Sequence, residues 1–128
     1  MLAGQTASGD INVSRFVKKS GAYKVDEVAA VTDIPIGISA EGSHDTPIPG
    51  ASALAAVDGD PIRVYGEEDN CLLEAGGVVA DGAFVKPDST GRGVAAGADE
   101  KFYAYAERGA TAAGEKMQVV LRYGVTPA

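Results

Sequence analysis

From Asp58 to Tyr123 the chain reads as short runs of apolar and polar residues cut at regular intervals by glycine turns. Pro61-Ile62-Arg63-Val64-Tyr65, Cys71-Leu72-Leu73-Glu74 and Ala83-Phe84-Val85-Lys86-Pro87-Asp88 are separated by turn sequences such as Asp58-Gly59-Asp60, Asp81-Gly82 and Gly91-Arg92-Gly93. Turn signals at this spacing predict an all-β fold, a small β-barrel or β-sandwich-like domain. The clearest strand is the last. Met117, Val119, Leu121 and Tyr123 fall on one face at period two, and Gln118, Val120 and Arg122 on the other. Phe102 to Glu107 is its expected partner, joined to it through the loop from Gly109 to Gly114. Tyr103 and Tyr105 then point the same way, as a core pair or an interface patch, since tyrosine is enriched at interfaces.

The first half is less regular. Ile11 to Lys19 is a strand candidate, Ser20-Gly21-Ala22 a turn, and Tyr23-Lys24-Val25 the start of a second strand with Tyr23 and Val25 on one face. Residues 26–31 fit a helical turn or a strand. Ile34 to Ser39 is β-branched and apolar, and Pro35 puts it near a sheet edge or a strand start, because proline cannot donate to a ladder. Glu41 to Ala51, with two prolines and two glycines, is the longest irregular stretch, and loops of this length are often functional. Ala51 to Val57 fits one short helix or a strand against Ile62–Tyr65. Residues 1–10 are small and polar and read as a flexible arm, which leaves 11–128 as a single β-rich domain with long loops.

Composition shapes the expected core. The chain has 128 residues, only 6% aromatic, with no tryptophan. Small side chains bury less apolar area each, which favours stabilisation by association with identical copies or a larger surface. The net charge of −7 opposes binding to phosphate backbones and anionic lipid, so neither nucleic acid nor membrane is an expected partner. No run approaches the length of a membrane-spanning segment, and the first residues lack the pattern of a secretory leader, so synthesis in a cytosol-like compartment is expected. The sequon at Asn12 is then a chance match.

Reactive chemistry is hard to assemble from these residues. Ser43-His44-Asp45 contains the sole histidine, but adjacent residues cannot line up nucleophile, base and orienter, so a loop contact is the better reading of His44. Cys71, the one cysteine, follows Glu67-Glu68-Asp69 and reads as a small buried hydrophobe. Asp58-Gly59-Asp60 and Glu67-Glu68-Asp69 lack calcium-loop spacing and read as turn tips; the second could gather a cation only where copies meet on a symmetry axis. Gly91-Arg92-Gly93-Val94-Ala95-Ala96-Gly97 has one residue too many for a dinucleotide fingerprint and no βαβ setting. The expectation is a non-enzymatic protein without cofactor or metal. Gln5 and Ile11 in or beside the arm, Arg15, His44 and Ile48 in the loop, and Tyr103 and Tyr105 are the candidate interface residues.

Several runs resemble the capsid decoration (cement) proteins of tailed bacteriophages: Ile11 to Lys18, Ile36 to Gly42, Pro47 to Ala51, Pro61 to Gly66, Cys71 to Glu74, Gly82 to Lys86 and Gly114 to Val119. The likeness spans about residues 11–123. It implies a β-rich body, often a homotrimer, on the outer capsid surface of a virion assembled in a host cytoplasm. It implies attachment to the major capsid protein near three-fold axes, and it brings no catalytic residue. The competing readings are a head-fibre base or small adhesion module that uses the Tyr103/Tyr105 face for a host glycan or protein, and a small hydrolase dependent on His44.

Overall fold

The computed structural model describes residues 2–40 and 54–127, and these form strands and turns with no helix. In chain order the strands are β1 (Leu2–Ala7), β2 (Ile11–Asn12), β3 (Phe16–Gly21), β4 (Lys24–Glu27), β5 (Pro35–Ser39) and β6 (Leu54–Ala56). They continue with β7 (Pro61–Tyr65), β8 (Asn70–Glu74), β9 (Phe84–Pro87), β10 (Gly93–Ala95), β11 (Lys101–Arg108) and β12 (Lys116–Val125). A closed barrel has the order β1-β4-β3-β5-β7, a five-stranded sheet the order β10-β9-β11-β12-β8, and β2 pairs with β6. The all-β, barrel-containing fold is the one the turn spacing predicts.

Residues 2–7, expected within a polar arm, are instead the strand that closes the barrel. β1 runs parallel to β4, with Thr6 opposite Lys24, and antiparallel to β7, with Gln5 opposite Ile62. Gly4, at φ +65°, absorbs the register shift between Leu2 and Gln5. A barrel strand needs only alternate positions inside, and Leu2 and Ala7 supply enough apolar surface for that. Pro35 and Pro61 each open a strand, where a missing N–H costs least. The hairpin from β3 to β4 turns at Tyr23, which has φ +56° and is 72% exposed; it does not share the buried face of Val25. Leu54–Ala56 pairs with β2, not with β7.

The core has two parts that share a wall. Ala7, Ile11, Val17, Val25, Ala56, Ile62 and Val64 fill the barrel. Leu73, Val85, Ala104, Met117, Val119 and Leu121 fill the five-stranded sheet, together with Phe16, Val28 and Ile38 from the barrel's own segments. Phe16 and Val17 are neighbours on β3 and both fully buried, yet they enter different cores. Opposite faces of one strand thus serve two interiors. The sheet also curls on itself, because Ala75, directly after β8, bridges Gly93 of β10.

Backbone hydrogen bonds and ion pairs fasten the seam. Phe16 N–H donates to Gly91 O at 2.7 Å, and Glu74 N–H to Ser14 O at 2.9 Å. Arg15 donates to Glu27 Oε1 at 3.0 Å, to Glu74 Oε2 at 3.1 Å and to Thr90 O at 3.0 Å, with its side chain 16% exposed. One guanidinium therefore ties β4 of the barrel to β8 of the sheet and to the turn before β10.

Candidate docking surface

The loop from Val28 to Ile34 is built on Asp33. Its Oδ2 accepts the N–H groups of Ala29 and Ala30, each at 3.0 Å, and the Lys18 ammonium at 3.1 Å. The Ala29 N–H and then Lys18 hold the Asp33 carboxyl below the usual carboxylate range. This closed turn leaves Val31 and Ile34 facing outward, each 65% exposed. They line a hollow of about 370 Å³ together with Pro87, Tyr103, Lys86 and Glu100. Lys86 donates to Glu100, whose carboxyl this bond and the Gly97 N–H hold low.

Tyr103 anchors the apolar floor. It packs on the sheet core and meets Tyr123 edge-on, with ring centroids 5.6 Å apart at 69°. Burial, then Glu67 and Tyr103, push the Tyr123 phenol up to about 12, so it stays a neutral donor at physiological pH. An aromatic and aliphatic centre ringed by paired charges has the anatomy of a protein–protein contact. Val31 and Ile34 escaped the sequence reading, which assigned Ile34 to a strand. The signal present was two apolar residues, Val31 and Ile34, flanking the polar pair Thr32-Asp33 of a turn.

The other candidates are scattered. Tyr105 does not extend the Tyr103 patch: its ring lies edge-on to Phe84 at 5.8 Å, and Phe84 stacks on Phe102 at 4.2 Å. Tyr103 and Tyr105 are two positions apart on β11, but their rings have different partners, Tyr123 for the first and Phe84 for the second. Ile11 is fully enclosed in the barrel core and has no surface to offer a partner. Arg15 is engaged inside the molecule as the seam's cation. Gln5 is half-buried on β1 and lines hollows on the barrel. His44 and Ile48, with the whole Glu41–Ala51 stretch, lie outside the described residues.

Among solved structures, the head fiber gp8.5 N base of bacteriophage phi29 aligns with a TM-score of 0.65 over 92% of this chain and 90% of that one. The two share a fold. Sequence identity is 16%, so the likeness is one of backbone architecture. No family model and no curated protein matches the chain. The alignment takes in nearly the whole of both molecules, so barrel and sheet correspond as one arrangement.

Proposed function

We propose that this chain is a structural protein of a tailed-phage virion that docks on the outside of the head. In this reading it decorates the shell as a homotrimer and stabilises it by bridging major capsid protein subunits. The observation that carries the reading is the fold shared, end to end, with a phage head-fibre base. A protein that binds the assembled shell and not free subunits stabilises assembly by linkage. Weak contacts suffice when symmetry repeats them, because each docked copy raises the effective concentration of the next contact.

The surface around Val31, Ile34 and Tyr103 is the docking face in this proposal. A non-catalytic role agrees with the state of Cys71, whose thiol burial and then Asp69 push up to about 12, far from a thiolate. A second reading, the base of a head fibre, is favoured by what the phi29 protein is named for. It has the same docking step but leaves shell stability unchanged.

The deciding experiment mixes purified protein with bare heads, follows co-sedimentation, and heats the decorated heads. Decoration predicts saturable occupancy, a higher disruption temperature and a solution mass three times that of the chain. The fibre-base reading predicts occupancy without the stabilisation. Absence of co-sedimentation overturns both. Ile34→Asp with Tyr103→Ala should abolish occupancy while leaving the fold intact by circular dichroism.

A further inference from the structure

β12 outruns its neighbour β8. The two pair only along Lys116–Val120, and the turn before β8 follows one residue further, where Leu121 N–H donates to Asp69 O and Glu68 N–H to Leu121 O. On the other flank β11 accompanies β12 as far as Val125. Among the described residues, Arg122–Val125 are therefore paired on one side alone. This is an open sheet edge about 13 Å long, at ~3.3 Å per residue, in a molecule whose closed barrel has no edge. A bare edge is completed by an extended backbone, which continues the ladder.

The surroundings of the edge choose between occupants. Tyr123, 39% exposed, meets Tyr103, and Val125, 60% exposed, pairs with Lys101; Tyr103 and Lys101 both line the Val31/Ile34 hollow. A partner seated on that hollow is already beside the edge. The acidic turn Glu67-Glu68-Asp69 stands at its foot, and Glu68 reaches Arg122 only at 3.9 Å, with both side chains more than half exposed. This turn stops an incoming strand at Arg122 and favours a basic residue there. A second copy of the chain fits badly. Antiparallel pairing of two β12 edges centred on Gly124 carries Pro127 onto the line that Glu68 and Asp69 fill beside Leu121. Centred on Val125 instead, it sets Pro127, which has no N–H to give, opposite Tyr123.

We propose that the protein on which this chain docks adds a short strand to the free edge of β12, with apolar side chains beside Tyr123 and Val125 and a basic residue at Glu67 and Glu68. The inference rests on the docking reading above. It adds to that reading a set of backbone hydrogen bonds, which side-chain contacts at Val31, Ile34 and Tyr103 do not supply.

Hydrogen exchange read by mass spectrometry tests it, on the intact chain free and bound to bare heads. Amides of residues 122–125 should exchange at least about tenfold more slowly on heads, because paired amides exchange only through local opening. Val125→Lys puts a charge on the edge, and Glu67→Lys with Glu68→Lys reverses the acidic foot. Each should weaken occupancy of heads about tenfold. These three side chains are exposed, so the circular dichroism of the variants should match that of the parent. Heads that bind the chain while residues 122–125 exchange as in the free protein overturn this inference and leave the docking reading standing. Heads that bind none of it overturn both. Protection of 122–125 that appears in the free protein as its concentration rises marks the edge as a contact between copies, and overturns the inference as well.

Discussion

The barrel and the five-stranded sheet solve the same problem with different means. Strand pairing closes the barrel completely, so it has no edge, and its core is aliphatic and small: Ala7, Ile11, Val17, Val25, Ala56, Ile62 and Val64. The sheet has larger residues of its own, Leu73, Met117 and Leu121, yet its interior is complete only with Phe16, Val28 and Ile38 from barrel segments. One half is closed by hydrogen bonds; the other is closed by borrowed side chains. The difference shows how a chain poor in aromatics builds two interiors: it puts its one fully buried phenylalanine on the wall between them.

That dependence can be broken at the wall itself. Phe16→Ala should destabilise the protein by about 3–5 kcal/mol, the usual cost of emptying a buried phenylalanine site. Val17→Ala, next door but facing the barrel, should cost about 2 kcal/mol. Urea unfolding followed by far-ultraviolet dichroism and by tyrosine fluorescence should give one transition for both variants; two separated transitions would show that the halves are independent. Arg15→Ala leaves Glu27 with Asn12 alone and Glu74 with the more distant Arg92, and should cost about 2–3 kcal/mol in the same assay, with Arg15→Lys recovering little because it cannot reach three acceptors at once.

Smaller effects sharpen the picture. Gly91 has φ +82°, and a Cβ there would lie 3.1 Å from Phe16 O, so Gly91→Ala should cost about 1–3 kcal/mol and loosen the backbone seam. Tyr23→Gly should act in the other direction, stabilising the barrel by about 1 kcal/mol through relief of its left-handed turn, read as a rise in melting temperature. The gentlest probe is pH. The Asp33 carboxyl sits below its ordinary value when folded, so its contribution is present above the normal carboxylate range and fades as pH falls through the lowered folded value. Thermal melts taken down that range should show Asp33→Asn losing this part of the acid sensitivity.

Much of the sheet was legible in the sequence because its pairings are local. β11 and β12 are joined through the Gly109–Gly114 region, and Met117, Val119 and Leu121 alternate inward as their spacing predicts. Tyr123 leaves that face only where β12 carries an extra residue. Barrel closure was not legible. It rests on a parallel pairing of Thr6 with Lys24 and an antiparallel pairing of Gln5 with Ile62, contacts that no periodicity encodes, in a stretch whose small polar residues look like a tail. The seam was hidden for a related reason. Arg15, Glu27 and Glu74 are far apart along the chain, and nothing local distinguishes an internal ion pair from a surface charge. Of the residues lining the candidate surface, Tyr103 was read from strand position, whereas Val31 and Ile34 depend on the Asp33 turn.

The double-faced strand β3 has a consequence for dividing the chain. A cut in the turn between Tyr65 and Asn70 would yield an amino-terminal fragment with Phe16 bare to water and a carboxy-terminal fragment with a hole where that ring belongs. Neither fragment would be sound by itself, but each carries the missing part of the other. Recombined, they should reconstitute the whole, so this scaffold is suited to a split reporter.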